Sequence, residues 1–437
     1  MHSDVDGESG LRARLLADET EALLGNAGFQ RLYAGRMVSR IGDKLYVVAA
    51  MWLVFELTGS TLYTGFAGFL SKAPQALGFL AGPLVDRARL GRLLAVTEAT
   101  QAVIVGSVPL AWWMGYLSVG HVLVVVTLLT VLRRVTAPAE QAALPRLVPE
   151  ALLARANSID STTKHALGAT AEALSGAIIA ILGAVSLFAV NAATFVCSAV
   201  TFGRLDVPDA SSTGEAPSAR EYLDDVRSGF ALVRHSVVGH MVVAAALTGV
   251  FTGMATAVLP AFAGTIGSDA ETFGLLVGAT TAGTLVGSLL AGRLHEVDFG
   301  QITVVGFLFA AAGRAAAAVV GWQPAVLLFY GAAAIPVGVY NVLVSAAIQT
   351  GVPNELLGRV SSTTGSLVAV VGPLGLLAGG VLGGVLDSAT VVALSAVGYL
   401  CISAYWLVVP SLREFPAVVD VEAGGFGRGR TGGSGAG

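Results

Sequence analysis

The sequence predicts an all-α membrane protein with twelve transmembrane helices in two pseudo-symmetric six-helix bundles, and three observations predict it. Of the 437 residues, 54% are apolar and 12% are Asp, Glu, Lys or Arg, whereas soluble proteins carry roughly 25% charged residues. Apolar stretches of the roughly 20 residues that a bilayer-spanning helix needs recur along the whole chain. The second half also repeats features of the first. This composition excludes an ordinary soluble enzyme, a nucleic-acid-binding protein and a disordered chain.

Short polar breaks separate the twelve predicted spans. In the first half of the chain they lie at 29–57, 62–85, 93–115, 121–145, 157–183 and 185–203. In the second half they lie at 237–263, 272–292, 300–320, 324–350, 359–385 and 390–410. The resulting divisions are an N-terminal tail (1–28), an N-terminal bundle (29–203), a central loop (204–236), a C-terminal bundle (237–410) and a disordered, Gly-rich tail (411–437).

Positive residues predict the orientation, because cytoplasmic loops carry an excess of Lys and Arg. Alternate predicted loops hold basic residues, among them Arg146, Arg204 and Arg293. Predicted loops on the opposite side, such as 56–61 and 264–271, hold neither Lys nor Arg. The sequence therefore predicts a multi-pass protein of the cell membrane with both termini in the cytoplasm.

An internal repeat relates the two halves. Residues 149–155 (PEALLAR) recur 204 positions later as residues 353–359 (PNELLGR), and Cys197 and Cys401 have the same separation. Six spans followed by six similar ones in the same orientation indicate a parallel repeat. Such repeats usually enclose a site between two bundles near the middle of the membrane.

The segment 82–92 (GPLVDRARLGR) lies between the second and third spans. Gly82 permits close helix contact, and Asp86 can meet the N-terminus of a neighbouring helix. Arg87 and Arg92 hold the loop at the anionic leaflet. The segment resembles the loop signature of the major facilitator superfamily, and the resemblance implies a gating role for these four residues.

Further segments are similar to the exporter branch of that superfamily, which includes drug, macrolide and siderophore exporters. They are 39–43 (SRIGD), 57–60 (LTGS), 138–145 (PAEQAALP) and 149–157. The resemblance covers residues 29–410. It implies the major facilitator fold, alternating access by rocking of the two bundles, and proton-driven export of a small molecule.

One departure from the family pattern concerns span five. Where relatives tend to have a Gly-Pro pair, this chain has Ala171 and Glu172, which places a carboxylate at membrane depth. Span eleven keeps a helix-bending pair, Gly372 and Pro373.

Charged residues inside the predicted spans are concentrated in the first half. Each costs about 2.5–3.5 kcal/mol on insertion scales, so it needs a partner, water or a functional role. They are Arg36, Arg40, Asp43 and Lys44 on one face of span one, Arg133 and Arg134 in span four, and Asp160, Lys164, His165 and Glu172 in span five. At a rise of about 1.5 Å per residue, Asp43, Arg133 and Glu172 fall near the middle of the membrane.

Two interpretations of these charges stay open. In the structural one they form a neutralised network that fixes bundle geometry; its members are Asp43, Glu172, Arg40, Lys164, Arg133 and Arg134. In the functional one, Asp43 or Glu172 exchanges protons with the substrate as the cavity changes sides. Glu98, Glu140 and Asp160 lie near helix ends, where structural pairing is expected.

The second half is poorer in charge, with Arg314 in span nine as its clear midspan cation. Spans seven and ten offer Phe251, Tyr340 and Asn341 as substrate-cavity candidates. A cavity with one charged wall and one apolar, aromatic wall suits a hydrophobic or amphipathic molecule. The alternative is that these residues only pack helices together.

Several kinds of site are missing from the sequence. No phosphate-binding loop for ATP and no metal-ligand spacing is present, so we expect no cofactor, no metal and no enzyme activity. The expected partners are a small-molecule substrate, protons and the lipid bilayer, with no nucleic acid, and the expected state is a monomer. The alternatives to an exporter are an importer or facilitator of a small metabolite and a non-transporting receptor on the same fold.

Overall fold

The computed structural model describes residues 19–74, 85, 88–208, 236–267, 269–422 and 426. Regular structure in these residues is helical throughout. The helices of the first half are α1 (Ala27–Thr58), α2 (Thr61–Leu70), α3 (Leu90–Trp113), α4 (Val119–Leu147), α5 (Leu153–Leu182) and α6 (Ala184–Gly203). Helices α5 and α6 are joined by Gly183 alone, which has a φ of 77°, a backbone conformation that glycine adopts without steric cost.

The second half contains nine helices within the described residues. They are α7 (Val237–Ala257), α8 (Leu259–Ile266), α9 (Asp269–Leu294), α10 (Phe299–Val319), α11 (Gln323–Ala332), α12 (Ile335–Gly351), α13 (Asn354–Gly383), α14 (Ser388–Val408) and α15 (Pro410–Arg413). Spans seven and ten each consist of two helices, α7 with α8 and α11 with α12. Pro260 and Pro336 lie in the first turns of α8 and α12, where a missing backbone N–H costs no helical hydrogen bond.

Each of the twelve predicted spans overlaps at least one helix, which confirms the predicted all-α membrane architecture. Among the described residues, nine helical stretches are long and apolar enough to cross a membrane. The other three predicted spans correspond to α1, α2 and α5. The largest difference at a helix start is in α13, which begins at Asn354 directly after Pro353 rather than at 359.

Close contacts divide the chain into two compact units. The first unit contains Met1–Ala50 and Leu77–Pro217, and in it α3 packs against α6 and α4. The second contains Met51–Ala76 and Ser218–Gly437, and its main contacts join α7 to α13, α10 to α14, α9 to α12, and α2 to α13. The C-terminal end of α1 and helix α2 therefore pack with helices of the second half.

Glycines allow α7 and α13 to approach closely. A Cβ atom on Gly375 would collide with the backbone of Val250, and one on Gly379 would collide with the backbone of Met254. In lipid, small residues at helix contacts permit the close van der Waals packing that holds helices together. Gly375 and Gly379 thus have a packing role.

The tail that the sequence predicts to be disordered from 411 onward has structure in its first part. Phe415 and Val418 are buried. The backbone N–H of Gly300, at the start of α10, donates to the carbonyl of Phe415 at 3.3 Å. Because the first N–H groups of a helix lack intrahelical partners, this tail segment satisfies one that would otherwise be open. The structure differs from the prediction because the prediction followed the Gly-rich composition at the end of the tail, whereas the first part of the tail contains apolar residues that can be buried.

Candidate functional site

Helix α1 presents three charged side chains to the interior of the first unit. Arg36, Arg40 and Asp43 are spaced by four and three residues, so they lie on one face of the helix. Arg36 is 3% exposed and Asp43 is 4% exposed. A charged side chain within a span faces protein rather than lipid because the hydrocarbon offers it no partner. The other residues of the candidate site contact this face of α1.

Two arginines and two carboxylates form a closed ion-pair network between α1, α4 and α5. Arg36 lies 2.9 Å from Glu140 and 3.4 Å from Asp160. Arg40 lies 2.8 Å from Asp160 and 3.5 Å from Glu140. Each cation therefore contacts both anions, and the four charges balance. Charge-assisted hydrogen bonds of this kind are stronger than neutral ones, and guanidinium geometry makes them directional.

A second ion pair, between Asp43 and Arg133 of α4, lies along α1 from this network. Oδ2 of Asp43 contacts Arg133, whereas its Oδ1 is buried and has no hydrogen-bond partner among the described residues. The Arg133 side chain is 36% exposed. Asp43 is therefore less completely paired than Glu140 and Asp160.

Glu98 of α3 completes the site. It is 1% exposed, and Ser39 donates to its Oε1 at 3.3 Å. Its Oε2 has no hydrogen-bond partner among the described residues. We name the seven charged residues of this region the charge cluster: Arg36, Arg40, Asp43, Glu98, Arg133, Glu140 and Asp160. A narrow polar cleft runs between Arg40, Asp43, Glu98, Gln101, Arg133, Thr136 and Glu140.

The sequence alone predicts that Glu98 lies near a helix end, rather than in a site with Asp43. The signal that indicates its role is the pair Glu98 and Gln101 in α3, since a spacing of three residues puts both on one face. Gln101 reaches towards Thr136 of α4, at 3.5 Å. The polar face of α3 therefore meets the polar faces of α1 and α4.

The remaining candidates of the first half have other environments. Arg134 is half-buried, and its Nε has no hydrogen-bond partner among the described residues. Lys164 is exposed on α5. Glu172 belongs to α5, but its side chain lies outside the described residues, as do Gly82, Asp86 and Arg87 of the loop motif. Arg92 is exposed in the first turn of α3.

A cavity of about 450 Å³ lies in the second unit, lined by α7, α12 and α13. Asn341 lines it, together with Lys72, Thr252 and the Gly372–Pro373 pair. The described lining residues include no carboxylate. Its volume lies in the range of pockets that hold small organic molecules.

Phe251 and Tyr340 have other positions. The Phe251 ring packs against the buried core and occupies the space beside Gly398. Tyr340 is 1% exposed, and its hydroxyl donates to the carbonyl of Met241 at 2.9 Å. Of the three substrate-cavity candidates, the structure thus brings only Asn341 to the cavity.

Within the part of the chain that the structure describes, no group of three or more His, Cys, Asp and Glu side chains is placed to hold a metal ion. The ion pairs of the charge cluster are made with arginine.

A family model described as transmembrane secretion effector matches residues 20–421. The chain is 26% identical over 387 residues to the multidrug efflux pump Tap of Mycolicibacterium fortuitum, a match covering 85% of this chain and 93% of the relative. It is 22% identical over 365 residues to macrolide efflux protein A of Streptococcus pyogenes, covering 80% of this chain and 87% of that protein.

Solved structures of transporters share the fold. A bacterial homologue of the human lysosomal transporter Spinster, in an inward-facing and occupied conformation, superimposes with a TM-score of 0.66 at 14% identity, covering 91% of this chain and 97% of that one. The nucleoside transporter NupG superimposes with a TM-score of 0.65 at 12% identity, covering 87% and 99%. At these identities the likeness concerns the fold alone.

Proposed function

Because the chain belongs to the transmembrane secretion effector family of the major facilitator superfamily, we propose that it exports hydrophobic or amphipathic small molecules across the cell membrane in exchange for protons. It is a multi-pass membrane transporter rather than an enzyme. The relatives named as multidrug and macrolide efflux proteins support export as the direction. The arginine-free and lysine-free loops on one side support a cytoplasmic location of both termini.

The observation that carries the proposal is the incomplete pairing of Asp43. Glu140 and Asp160 each contact two arginines. Asp43 contacts Arg133 through one oxygen, and its other oxygen has no hydrogen-bond partner among the described residues. A carboxylate that holds a single cation can lose that cation on protonation while its neighbours keep theirs. Asp43 is therefore the proton-exchanging group of the proposal, and Arg36, Arg40, Glu140 and Asp160 are its structural frame.

In the proposed cycle, a proton binds the Asp43 carboxylate and neutralises it. The Arg133 guanidinium then loses its ion-pair partner and becomes available to water or to polar groups on the substrate. Loss of the proton on the other side of the membrane restores the Asp43–Arg133 pair. Competition for Arg133 thereby couples proton movement to alternating access. Glu172 is the second carboxylate of this proposal because it lies on α5 at membrane depth.

The experiment is transport by purified protein reconstituted in vesicles, with a radiolabelled macrolide as the probe. A pH gradient is expected to drive accumulation against the macrolide gradient. Asp43→Asn is expected to reduce this accumulation by about a hundredfold or more, the range in which single proton-transfer groups contribute. Macrolide exchange at equal concentrations without a pH gradient is expected to continue, because that exchange requires no net proton movement. Glu172→Gln tests the second carboxylate in the same two assays.

The matched control is Asp206→Asn, which removes an exposed carboxylate outside the charge cluster. It is expected to leave both assays at the wild-type rate. Indifference of accumulation to pH and to both Asp43→Asn and Glu172→Gln would contradict proton coupling. Movement only down the gradient would favour the facilitator alternative, and binding without flux would favour a receptor.

A further inference from the structure

Glu98 of α3 is the carboxylate of the charge cluster that no arginine contacts. The other carboxylates of the charge cluster each contact at least one arginine: Glu140, Asp160 and Asp43. None of the ion pairs among the described residues includes Glu98, which is 1% exposed. An ionised carboxylate is costly to bury without a cation, whereas a neutral carboxylic acid needs only hydrogen bonds. The surroundings of Glu98 therefore favour a form of this side chain that carries a proton.

Three buried oxygen atoms that line the polar cleft have no hydrogen-bond partner among the described residues. They are Oδ1 of Asp43, Oε2 of Glu98 and Oε1 of Gln101. The Gln101 amide nitrogen lies 3.4 Å from the carbonyl of Thr97 and 3.5 Å from the Thr136 hydroxyl, so the donor group of that amide is engaged elsewhere. Buried acceptors that lack a donor are destabilising. The cleft therefore requires donors for three acceptors.

One water molecule and one proton satisfy all three atoms. The cleft has a volume of about 20 Å³, which is room for one water molecule. A water molecule donates two hydrogen bonds, so on its own it leaves one of the three oxygen atoms without a donor. A proton on Oε2 of Glu98 turns that atom into a donor to the water. The water then donates to Oδ1 of Asp43 and Oε1 of Gln101, and each of the three atoms has a partner.

Charged groups face Glu98 from two of the helices around α3. Arg40 and Asp43 line the cleft from α1, and Arg133 and Glu140 line it from α4. Helix α6, which also packs against α3, contains no charged residue, and its single cysteine is exposed. Because two guanidinium groups line the cleft, a proton held in a covalent O–H bond fits it better than a metal cation, which they would repel.

We propose that Glu98 is a second proton-binding residue of the transporter, which holds a proton on Oε2 while Asp43 is paired with Arg133 and passes it to Asp43 through one water molecule. This inference rests on the proposed proton-coupled export, and it names the group from which Asp43 receives its proton. It adds a carboxylate that the proposed cycle leaves unused.

The transfer keeps the net charge of the cleft constant. The Oε2–H bond of Glu98 breaks as its proton moves to the water, and a proton of the water forms an O–H bond with Oδ1 of Asp43. Asp43 becomes neutral and releases Arg133, and Glu98 becomes the carboxylate. Because Arg133 lines the same cleft, its guanidinium can then pair with Glu98. An uncompensated charge is costly in a low-dielectric site, so an exchange of partners inside the cleft is favoured over a step that adds a charge to it.

Infrared spectroscopy of the purified protein in lipid vesicles tests where the proton lies, because the carbonyl stretch of a protonated carboxyl group is separate from that of a carboxylate. At neutral pH the wild type is expected to absorb in the protonated-carboxyl region, and isotopically labelled glutamate is expected to shift this absorption. Glu98→Gln is expected to lose the absorption of one carboxyl group there. The matched control, Glu56→Gln, removes an exposed carboxylate outside the charge cluster and is expected to keep it.

Asp43→Asn tests the exchange between the two carboxylates. The neutral amide imitates the protonated form of Asp43 and leaves Arg133 free to pair with Glu98. The protonated-glutamate absorption is therefore expected to disappear in Asp43→Asn, although Glu98 itself is unchanged. Asp206→Asn removes an exposed aspartate outside the charge cluster and is expected to keep the absorption.

Transport in vesicles tests whether the proton of Glu98 is used. Glu98→Gln is expected to reduce the pH-driven accumulation of the radiolabelled macrolide by about a hundredfold or more, the range in which single proton-transfer groups contribute. Glu98→Asp keeps a carboxyl group in the cleft and is expected to retain part of the accumulation. Glu56→Gln is expected to accumulate the macrolide as the wild type does.

The outcomes separate this inference from the export proposal. A protonated-carboxyl absorption that survives Glu98→Gln and shifts with labelled aspartate would overturn the inference and leave proton-coupled export standing. A glutamate absorption that survives Asp43→Asn, or full accumulation by Glu98→Gln, would overturn the transfer between the two residues. Wild-type accumulation that is driven by a sodium gradient and is indifferent to pH would overturn proton-coupled export itself, and with it the role of Glu98 in transport. If Glu98→Gln does not fold, the labelled glutamate in the wild type and in Asp43→Asn still decides the question.

Discussion

The Nε atom of Arg36 lies 2.9 Å from Oε2 of Glu140, and both side chains are buried. The two residues are separated by 104 positions in the chain and join α1 to α4. Arg40 and Asp160 repeat the arrangement between α1 and α5 at 2.8 Å. Because each arginine also contacts the other carboxylate, the three helices are fastened together by one network. This network is well suited to keep α1, α4 and α5 aligned during the protonation of Asp43 that the proposed cycle requires.

Breaking the Arg36–Glu140 pair is expected to destabilise the protein strongly. Arg36→Gln or Glu140→Gln leaves an uncompensated buried charge, so each is expected to lower the unfolding free energy by about 3–5 kcal/mol. The measurement is thermal unfolding in detergent followed by tryptophan fluorescence. The double variant removes both charges and is expected to lose less than the sum of the single variants. Additive losses would show that the two residues act independently.

The helices and the charged face of α1 can be predicted from the sequence because both depend on local pattern. Apolar length and polar breaks define spans, and the 3.6-residue period places Arg36, Arg40 and Asp43 on one face. The pairing of the two arginines could not be predicted, because Glu140 lies 104 positions from Arg36 and Asp160 lies 120 positions from Arg40. The choice among Glu98, Glu140 and Asp160 depends on how α3, α4 and α5 pack. Packing of that kind is a property of the whole fold rather than of any one segment.

The neighbouring residues Tyr340 and Asn341 also show that the sequence of one helix does not reveal which of its faces meets a site. The sequence predicts both as substrate-cavity residues, but the side chains of consecutive residues in a helix point about 100° apart. The structure buries Tyr340 in the core and puts Asn341 at the cavity wall. Only the packing of α12 determines which of the two faces the cavity.

Tyr340 and Asn341 are expected to respond differently to substitution. Tyr340→Phe removes the hydrogen bond to the Met241 carbonyl and is expected to reduce stability by about 1 kcal/mol, with probe affinity unchanged. Asn341→Ala is expected to change probe affinity by several-fold and to leave the melting temperature near the wild-type value. Melting temperature and the Kd of the radiolabelled macrolide probe are measured on the same preparations. A change of affinity in Tyr340→Phe without one in Asn341→Ala would contradict the assignment.

The contact between α2 and α13 depends on glycine at position 65. A Cβ atom there would collide with the carbonyl of Leu376 and lie 2.7 Å from Cα of Gly380. In most helix positions Gly→Ala stabilises, by about 0.5–1 kcal/mol. Gly65→Ala is expected to destabilise instead, because backbone atoms cannot move aside as a flexible side chain can.

Gly358→Ala is the matched control for Gly65→Ala. Both glycines are helical, but a Cβ on Gly358 meets nothing within 4 Å. Gly358→Ala is therefore expected to raise the melting temperature and Gly65→Ala to lower it. The same sign for both variants would mean that the α2–α13 contact contributes little to stability.

Asp387 caps the N-terminus of α14 and makes the stability of the folded protein depend on pH in the acid range. Its side chain accepts hydrogen bonds from the backbone N–H of Thr390 at 2.8 Å and from the Thr390 hydroxyl at 2.6 Å. These bonds hold the pKa of Asp387 below its ordinary value of 3.8. Because the folded-state pKa is depressed, the stabilisation is present above pH 3.8 and is lost as the pH falls through the lower folded-state value.

Asp387→Asn is therefore expected to have a lower melting temperature than the wild type at pH 7. An amide oxygen accepts these hydrogen bonds less strongly than a carboxylate does. It also lacks the negative charge that interacts favourably with the helix dipole. The difference in melting temperature is expected to shrink as the pH is lowered below about 3.8, since the wild-type carboxyl then also becomes neutral. The measurement is a set of melting curves of both proteins across that pH range. Asp420→Asn, at an exposed carboxylate outside the α14 cap, provides the control for a general effect of removing one negative charge. A difference between wild type and Asp387→Asn that stayed constant into the acid range would mean that protonation of Asp387 has no part in the cap.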